Sequence, residues 1–281
     1  MQNRYTDGSY TSLNSDFNDS ESLSKANSFS SFLSKNALSP NSLLDFGCGG
    51  GGVLRSLSIP SLKTAIGFDI NPDAIAYANS LNKSLLVSFT SDNPISKDIS
   101  FDCISLIHVL EHVDNWLDLL LSLAKSSKYI YISIPLEASI WHSIRSNTLK
   151  AQYIRYGHIH FFNKNYFLHR ISEHGFNIID VDYSDEFRAF SSFKSKLITL
   201  PRLFLGLFSK SLSANLLGGY CLQVLVKFQP PSSISDSPWP FFAQVSGCTQ
   251  LQANRAFRGP TSQTSGQNLQ DSRWQKPRDS T

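Results

Sequence analysis

The sequence has few cysteines, and they lie far apart. The four are Cys48, Cys103, Cys221 and Cys248, and no two of them form a C-x-x-C pair. This spacing argues against both a zinc site and a disulfide framework. We therefore expect a protein of a reducing compartment, the cytoplasm.

Long apolar runs and a strong excess of one charge are also missing. No run approaches the roughly 20 apolar residues of a membrane-spanning helix, and the polar residues 1–20 do not resemble a signal peptide. A net charge of +3 over 281 residues is too small and too scattered for a nucleic-acid-binding surface. Because of these absences, we expect no integral membrane segment and no nucleic-acid partner.

Three regions of the chain differ in composition. Residues 1–38 are rich in Ser and Asn and carry a helical pattern near 23–33, so we interpret them as an N-terminal lid and helix segment. Residues 39–228 alternate short β-rich runs with amphipathic stretches. Residues 229–281 are rich in Ser, Gln and Pro and lack periodicity, which predicts a disordered tail.

The central region predicts a doubly wound α/β fold, a Rossmann-like sheet of seven mostly parallel strands. Strand–helix alternation is typical of such a sheet with helices on both faces. The last two β-rich runs break the alternation, so the final strand is expected to pair antiparallel. The predicted strands lie near 42–46, 64–69, 85–90, 101–107, 128–134, 177–183 and 219–227, and the predicted helices near 51–58, 72–82, 113–126 and 163–174.

A cluster of glycines follows the first predicted strand, in the stretch LLDFGCGGGGVL from Leu43 to Leu54. Glycine loses backbone entropy wherever it is ordered, so five glycines in this stretch need a reason. In open α/β folds, ligands bind at the carboxyl ends of the strands. Missing side chains let a ligand approach the backbone, and loop N–H groups can meet an anionic group. The alternative is a tight strand–helix turn without a ligand.

An acid ends the second predicted strand, AIGFDI. Asp69 lies 22 residues after Gly47, where an acid is placed to accept hydrogen bonds from both ribose hydroxyls of an adenosine cofactor. The alternative role is to cap the next helix, but Asn71 and Pro72 already supply a cap and a first helical residue. We therefore predict that Asp69 holds a ribose.

The glycine spacing separates two classes of cofactor. A dinucleotide fingerprint has the pattern G-x-G-x-x-G, whereas Asp45 to Gly51 have the pattern D-x-G-x-G-x-G. In this motif the chain resembles the class I S-adenosylmethionine (SAM)-dependent methyltransferases. The resemblance to their small-molecule branch (type 11, type 23 and ubiquinone-type enzymes) covers about residues 4–228. Four further segments carry it in the expected order: RYTDGSY, FDCISLIHVLEHVDN, YIYISIPLE and GHIHFFNKNYFLHRISEHGFNIID.

The resemblance implies that SAM is the cofactor. It places three loop glycines under the methionine part, Asp45 at the loop or the cofactor's amino group, and Asp69 at the ribose. Asp92 falls where family members place an acid near the adenine amino group, although a turn residue is its alternative. His108 would face the cofactor from the end of the fourth strand, or else only pack there. The implied cofactor-binding residues are Asp45, Gly47, Cys48, Gly49, Gly51, Asp69, Ile70, Asp92 and His108.

Glu111 and His112 follow the same strand as His108. In ubiquinone-type enzymes a Glu-x-x-Glu-His cluster is linked to a divalent cation, and here His108 replaces the first acid. Because hard cations prefer oxygen ligands, the replacement argues against magnesium. We predict that no metal is bound, and that Glu111 and His112 instead cap the helix at 113–126 and line the methyl-transfer pocket.

Two inserts, 135–162 and 184–218, are expected to shape the acceptor side. His158 and His160, at positions i and i+2, would share one face of a strand. One of them is then placed to take a proton from an acceptor hydroxyl, with incidental surface histidines as the alternative. The apolar, lysine-flanked segment 194–210 is expected to pack over the sheet edge, and peripheral contact with lipid is its alternative.

Together these features predict SAM-dependent methyl transfer to a small-molecule acceptor. A hydroxyl oxygen is favoured as the target by the His-rich rim and by the resemblance. The alternatives are a nicotinamide-dependent oxidoreductase and a catalytically inactive cofactor-binding partner subunit. The chain is expected to be a monomer or a homodimer. The predicted catalytic residues are His108, Glu111, His112, His158 and His160.

Overall fold

Seven strands form one sheet in the computed structural model, which describes residues 19–95, 99–145, 147–185 and 193–230. The strands are β1 (Ser42–Phe46), β2 (Thr64–Phe68), β3 (Val87–Thr90), β4 (Phe101–Ile107), β5 (Ser127–Pro135), β6 (Phe176–Ser184) and β7 (Cys221–Phe228). Their order across the sheet is β3-β2-β1-β4-β5-β7-β6. Strand β7 is antiparallel to both neighbours, and the other pairings are parallel. The predicted fold class is therefore confirmed, including the antiparallel final strand.

Helices cover both faces of the sheet. They are α1 (Ser22–Lys35), α2 (Gly52–Ser56), α3 (Pro72–Leu81), α4 (Trp116–Ala124), α5 (Ile140–Ile144), α6 (Thr148–Tyr156), α7 (Lys164–Glu173), α8 (Phe193–Phe208) and α9 (Lys210–Leu217). The side chain of Asn71 caps α3 by accepting hydrogen bonds from the backbone N–H groups of Asp73 and Ala74. Helix α8 continues through Pro201. Among the helices described, none is both long enough and apolar enough to cross a bilayer.

Successive strand side chains point into two different cores, as the pleat of a strand requires. In β1, Leu44 packs in the core shared with α4, α7 and α9, whereas Leu43 packs in the core shared with α1, α2 and α3. Tyr131 of β5 is buried and stacks on Phe29 of α1 with 4.4 Å between the ring centroids. Burial of such a side chain contributes about 1.5–3 kcal/mol, so α1 is an integral part of the fold.

The inserts on the acceptor side begin and end at one corner of the sheet. Because β7 is antiparallel to β5 and to β6, strand β6 runs in the direction of β5. Pro135 at the end of β5 and Ser184 at the end of β6 both pair with Cys221 at the start of β7. Both inserts therefore lie at the carboxyl edge of the sheet, where α/β folds bind ligands.

Two expectations fall on residues outside the part of the chain that the structure describes. The lid-like motif RYTDGSY covers residues 4–10, and the tail lies beyond residue 230. Near that end, Gln229 N donates a hydrogen bond to Gly175 O at 2.9 Å.

Candidate active site

The glycine loop after β1 is held by its own backbone. Gly47, Gly49 and Gly51 have φ angles of 84°, 52° and 75°, where other L-residues are strained. Phe68 O accepts hydrogen bonds from Gly47 N and Cys48 N at 2.7 and 2.9 Å, and Cys48 O accepts one from Gly51 N at 2.9 Å. These three N–H groups bind protein oxygens and are therefore not the ones that could meet an anionic ligand.

Two of the loop glycines also have packing reasons. A Cβ atom on Gly47 would lie 2.5 Å from Cγ2 of Val109, and one on Gly51 would overlap the ring of Phe89. Part of the glycine content thus serves the tight turn. The contact between Gly47 and Val109 shows that the loop lies directly against the residue that follows His108.

Asp69, the residue after β2, tethers the glycine loop. Its Oδ2 accepts a hydrogen bond from Gly49 N at 2.8 Å, and its Oδ1 accepts one from Asn71 N at 2.9 Å. Burial raises the pKa of Asp69, and the two N–H donors oppose that rise. Each carboxylate oxygen has two lone pairs, so Asp69 retains capacity for the hydroxyl donors of a ribose.

Asp45 and Cys48 are buried where β1 meets the loop. Ser105 Oγ of β4 donates a hydrogen bond to Asp45 Oδ1 at 2.7 Å. Burial raises the pKa of Asp45 to about 6, with a smaller contribution from the negative charge of Asp69 and opposition from the Ser105 bond. Burial also raises the pKa of the Cys48 thiol, so this thiol is neutral near pH 7.

Asp92 lies on an exposed turn after β3. Its N–H donates to Thr90 Oγ1 at 3.0 Å, and the next side chain, Asn93, accepts a hydrogen bond from Ile95 N. The backbone of Asp92 therefore forms a turn, as its alternative role predicted. Its carboxylate still lies on the same edge of the sheet as Asp69 and half-buried Ile70, because β2 and β3 pair in parallel.

His108 directly follows β4 and has a left-handed conformation, with φ of 58°. This conformation is uncommon outside glycine and clusters at functional sites. The His108 N–H donates to Ser133 O at 2.9 Å. Its Nε2 lies 3.5 Å from Cys221 Sγ, and its Nδ1 lies 3.6 Å from Glu111 Oε1. The imidazole is therefore placed between the start of β7 and a buried carboxylate.

Glu111 is fully buried in a short 3-10 turn, Leu110–His112. Neither carboxylate oxygen has a hydrogen-bond partner within the described residues. Burial raises the pKa of Glu111, and the nearby imidazoles of His108 and His158 oppose the rise. Helix α4 has Asn115 at its N-cap, and His112 Nδ1 lies 3.3 Å from Gly157 O of the insert. The expectation that Glu111 caps this helix is therefore wrong, and His112 faces the insert.

His158 and Glu137 form a buried pair on the first insert. His158 Nδ1 lies 2.7 Å from Glu137 Oε2, and Glu137 follows the end of β5 by two residues. A neutral imidazole that donates from Nδ1 keeps Nε2 as a proton acceptor. The pair therefore has the form of a general base oriented by a carboxylate.

His160 lies in a different environment. Residues 157–163, all described, form no strand, so the expectation that His158 and His160 share a strand face is wrong. His160 Nε2 lies 3.0 Å from Val113 O and 3.1 Å from Asp114 O. Because both partners are acceptors, this nitrogen must carry a proton. His160 thus joins the insert to the turn after β4.

The insert completes a cluster that begins at the end of β4. A carboxylate oxygen of Glu111 and one ring nitrogen from each of His112 and His158 all lie within 4.8 Å of one another. Glu111 Oε1 is 4.0 Å from His112 Nε2, and the rings of His112 and His158 meet edge to face at 4.8 Å. Three groups able to exchange protons are thus gathered beside the glycine loop.

Sequence reasoning missed two members of the site, Glu137 and Ser105. Glu137 is an acid just past a predicted strand end, the same signal that identified Asp69. Ser105 is a polar residue inside the apolar strand FDCISLI. A buried hydroxyl needs a partner, and Asp45 on the neighbouring strand provides it.

Known proteins resemble the chain in sequence and in structure. The type 23 methyltransferase family, described as "Methyltransferase domain", matches residues 21–181, more than half of the chain. Among curated proteins, none matches the sequence.

Solved structures also share the fold, among them two SAH-bound methyltransferases. The plantazolicin methyltransferase BpumL, in complex with a monoazolic desmethylPZN analog and S-adenosylhomocysteine (SAH), is 22% identical, with a TM-score of 0.54 over 81% of this chain and 93% of that one. The magnesium protoporphyrin IX methyltransferase ChlM from Synechocystis PCC 6803, with bound SAH, is 12% identical, with a TM-score of 0.50 over 74% of this chain and 84% of that one.

The matched residues 21–181 include the glycine loop, Asp69 and the turn after β4, and so cover every predicted cofactor-binding residue. Family and fold agree with the motif that suggested SAM rather than a dinucleotide. The chain belongs to the class I S-adenosylmethionine-dependent methyltransferases.

Proposed function

We propose that this protein transfers a methyl group to a hydroxyl oxygen of a small-molecule acceptor. The observation that carries the proposal is the adjacency of the glycine loop and the histidine–carboxylate cluster. Val109 packs against Gly47 and is the direct neighbour of His108. A cofactor held by the loop would therefore present its reactive side to His108, Glu111 and His112.

The residues of the chain fit the cofactor. Asp69 has the lone pairs that a ribose diol needs, and Asp45 offers a buried carboxylate for the amino group. Ile70 and Asp92 lie on the side proposed for the adenine. When bound, SAM supplies a methyl group already activated on a sulfonium. The protein's task is then to orient the acceptor and to exclude water.

The proposed acceptor oxygen loses a proton during transfer. His158, oriented by Glu137, is the base we propose, because a neutral ring that donates from Nδ1 to the carboxylate leaves Nε2 to accept a proton. His108 and His112 are half-buried and would contact the acceptor. Glu111 supplies negative charge or a proton next to them. His160 would act through the position of the insert rather than through proton transfer.

Two measurements separate this function from its alternatives. Calorimetric titration with SAM and with NADH distinguishes a methyltransferase from a nicotinamide enzyme, and we expect heat only from SAM. The loop also argues against a dinucleotide, because four of its N–H groups are bonded to protein oxygens. Release of SAH over a panel of phenols, alcohols and amines distinguishes an enzyme from an inactive cofactor-binding subunit. Turnover limited to amines would contradict the hydroxyl assignment.

We expect the affinity for SAM to fall in acid because of Asp45. A carboxyl group with a pKa of about 6 is mostly ionised at pH 7 and attracts the ammonium of the cofactor. At pH 5 about nine in ten such groups are neutral, so the apparent Kd should rise about tenfold. Calorimetric titration with SAM at pH 7 and at pH 5 measures this change in Kd. Asp45→Asn should bind weakly at both, and a wild-type Kd that does not change with pH would contradict this role.

We also expect turnover to be independent of added metal. Ligands of a tetrahedral zinc ion lie about 3.4 Å apart, whereas Glu111 Oε1 and His112 Nε2 are 4.0 Å apart. One carboxylate with two imidazoles is a poor ligand set for magnesium. Exhaustive chelation should leave the rate unchanged, whereas His112→Ala should lower it by disturbing the pocket. Loss on chelation with recovery by Mg²⁺ or Zn²⁺, added back separately, would overturn the expectation.

A further inference from the structure

Helix α8 carries an exposed apolar stripe. Leu200, Phe204, Leu207 and Phe208 are spaced so that they share one helical face. All four are exposed, Leu207 to 83% and Phe208 to 75% of the full side chain. Leu212 of α9 extends the stripe. Large apolar side chains gathered in this way on a surface mark an interaction site.

A second exposed apolar set lies on a helix that contacts α9. Ile140, Trp141 and Ile144 of α5 are also exposed. Helices α5 and α9 are in contact, and a Cβ atom on Gly218, just after α9, would lie 2.5 Å from His142 of α5. We call these eight side chains of α5, α8 and α9 the apolar platform. They are eight of the seventeen exposed large apolar residues in the described part of the chain.

The opposite side of α8 and α9 is fixed to the protein. Arg202 donates a hydrogen bond to Leu217 O at 3.2 Å, and Arg202 O accepts hydrogen bonds from Ser213 Oγ at 3.1 Å and Tyr220 Oη at 3.2 Å. Ser213 and Ala214 are buried. The helix pair is therefore anchored to the start of β7, and the expected packing of this segment over the sheet edge accounts only for its inner face.

The charge around the platform points to one class of partner. Helices α8 and α9 contain three lysines, Lys194, Lys196 and Lys210, as well as Arg202 on their inner side, and they contain no Asp or Glu. A symmetric contact between two copies would place this cationic segment against itself. Residues 231–281 carry five cations and three acids, so their charge does not complement the platform either. Aromatic and aliphatic side chains flanked by cations are typical of elements that lie on anionic membranes.

We propose that the apolar platform docks this protein on the surface of an anionic lipid bilayer. The position of the platform also links docking to the acceptor. This inference about the acceptor rests on the proposed function. Tyr220, the residue before Cys221, donates a hydrogen bond to Arg202 O of α8, and Cys221 Sγ lies 3.5 Å from His108 Nε2. The platform therefore adjoins the acceptor side of the site. The acceptor class that fits is an amphiphile partitioned into the membrane.

Co-sedimentation of the full chain with vesicles tests the docking. Phosphatidylcholine vesicles containing about a third phosphatidylglycerol should pellet the protein, and pure phosphatidylcholine should pellet about tenfold less. Raised salt should weaken the binding. The triple variant Phe204→Ser, Leu207→Ser, Phe208→Ser should lose about tenfold in bound fraction. The matched control is Leu85→Ser with Leu86→Ser, which changes exposed leucines outside the platform and should bind as wild type does.

A second readout does not depend on the stability of the triple variant. Trp141 lies on the platform, with the Arg145 guanidinium 5.4 Å from its ring. Anionic vesicles should shift the tryptophan emission of the wild type to the blue, and Trp141→Phe should abolish most of the shift. Absence of both pelleting and shift, in protein that still binds SAM, would overturn the docking and leave the proposed function standing. Concentration-dependent dimerisation that the triple variant removes, without vesicle binding, would likewise overturn it.

Discussion

Replacing Asp69 with alanine should weaken the binding of SAM by about 10- to 100-fold. Charge-assisted hydrogen bonds contribute about 1.5–3 kcal/mol, which corresponds to that range of affinity. The substitution removes the proposed acceptor for the ribose and also the tether between Gly49 N and Asn71 N. Both losses act on the cofactor site. The loss of affinity for SAM should therefore exceed that caused by replacing any other single carboxylate in the loop region.

Calorimetric titration with SAH separates the two losses. Asp69→Asn keeps one oxygen able to accept from a backbone N–H and should fall between wild type and Asp69→Ala. Asp73→Ala is a control on the exposed first turn of α3 and should bind as wild type does. Unchanged affinity in Asp69→Ala would remove the ribose assignment. A lowered melting temperature with unchanged affinity would leave Asp69 as a tether only.

His158→Ala should lower kcat by about 10²- to 10⁴-fold, the usual contribution of a positioned general base. The affinity for SAM should stay the same, because His158 lies on the acceptor side. Glu137→Gln should cause a smaller loss, since the amide oxygen still accepts from Nδ1 but the negative charge that stabilises an imidazolium is gone. A loss in kcat rather than in binding is what distinguishes a base from a structural residue.

A histidine outside the site provides the control. His169 of α7 is exposed and lies 3.3 Å from Glu173, so it forms a His–Glu pair without access to the cluster. His169→Ala should leave kcat unchanged. If His158→Ala kept full turnover, His158 would not be the base, and His112 would take its place only if its rate showed the pH dependence of a general base. If neither substitution lowered kcat, the acceptor would not need a protein base.

The strands and the cofactor side of the site follow from local sequence patterns. Alternation in β1 and β5 places Leu43 and Tyr131 in one core and Leu44 and Ile132 in the other, and a short-range pattern is enough to detect it. Asp69 was identifiable because the strand that precedes it is clear. These features depend on neighbours along the chain, so they are readable without a structure.

The acceptor side depends on contacts between distant segments and was harder to predict. The bond between His160 and Val113 O joins residues 47 positions apart, and nothing near His160 in the sequence indicates it. The burial of Glu111 depends on the insert, whose Ile159 N donates to Glu111 O at 2.8 Å. Spacing alone therefore suggested a strand face and a helix cap where the tertiary structure forms a folded-back loop.

The position of β7 has a consequence for the order in which the protein is made. Strand β6 joins the sheet only through β7, which lies between it and β5. During synthesis β6 leaves the ribosome before its native partner β7, and β5 presents an open edge until β7 emerges. Open edges are sites of mispairing between chains. The nascent chain must therefore remain protected until Phe228 has emerged, and only then does Cys221 reach His108 and close the acceptor side.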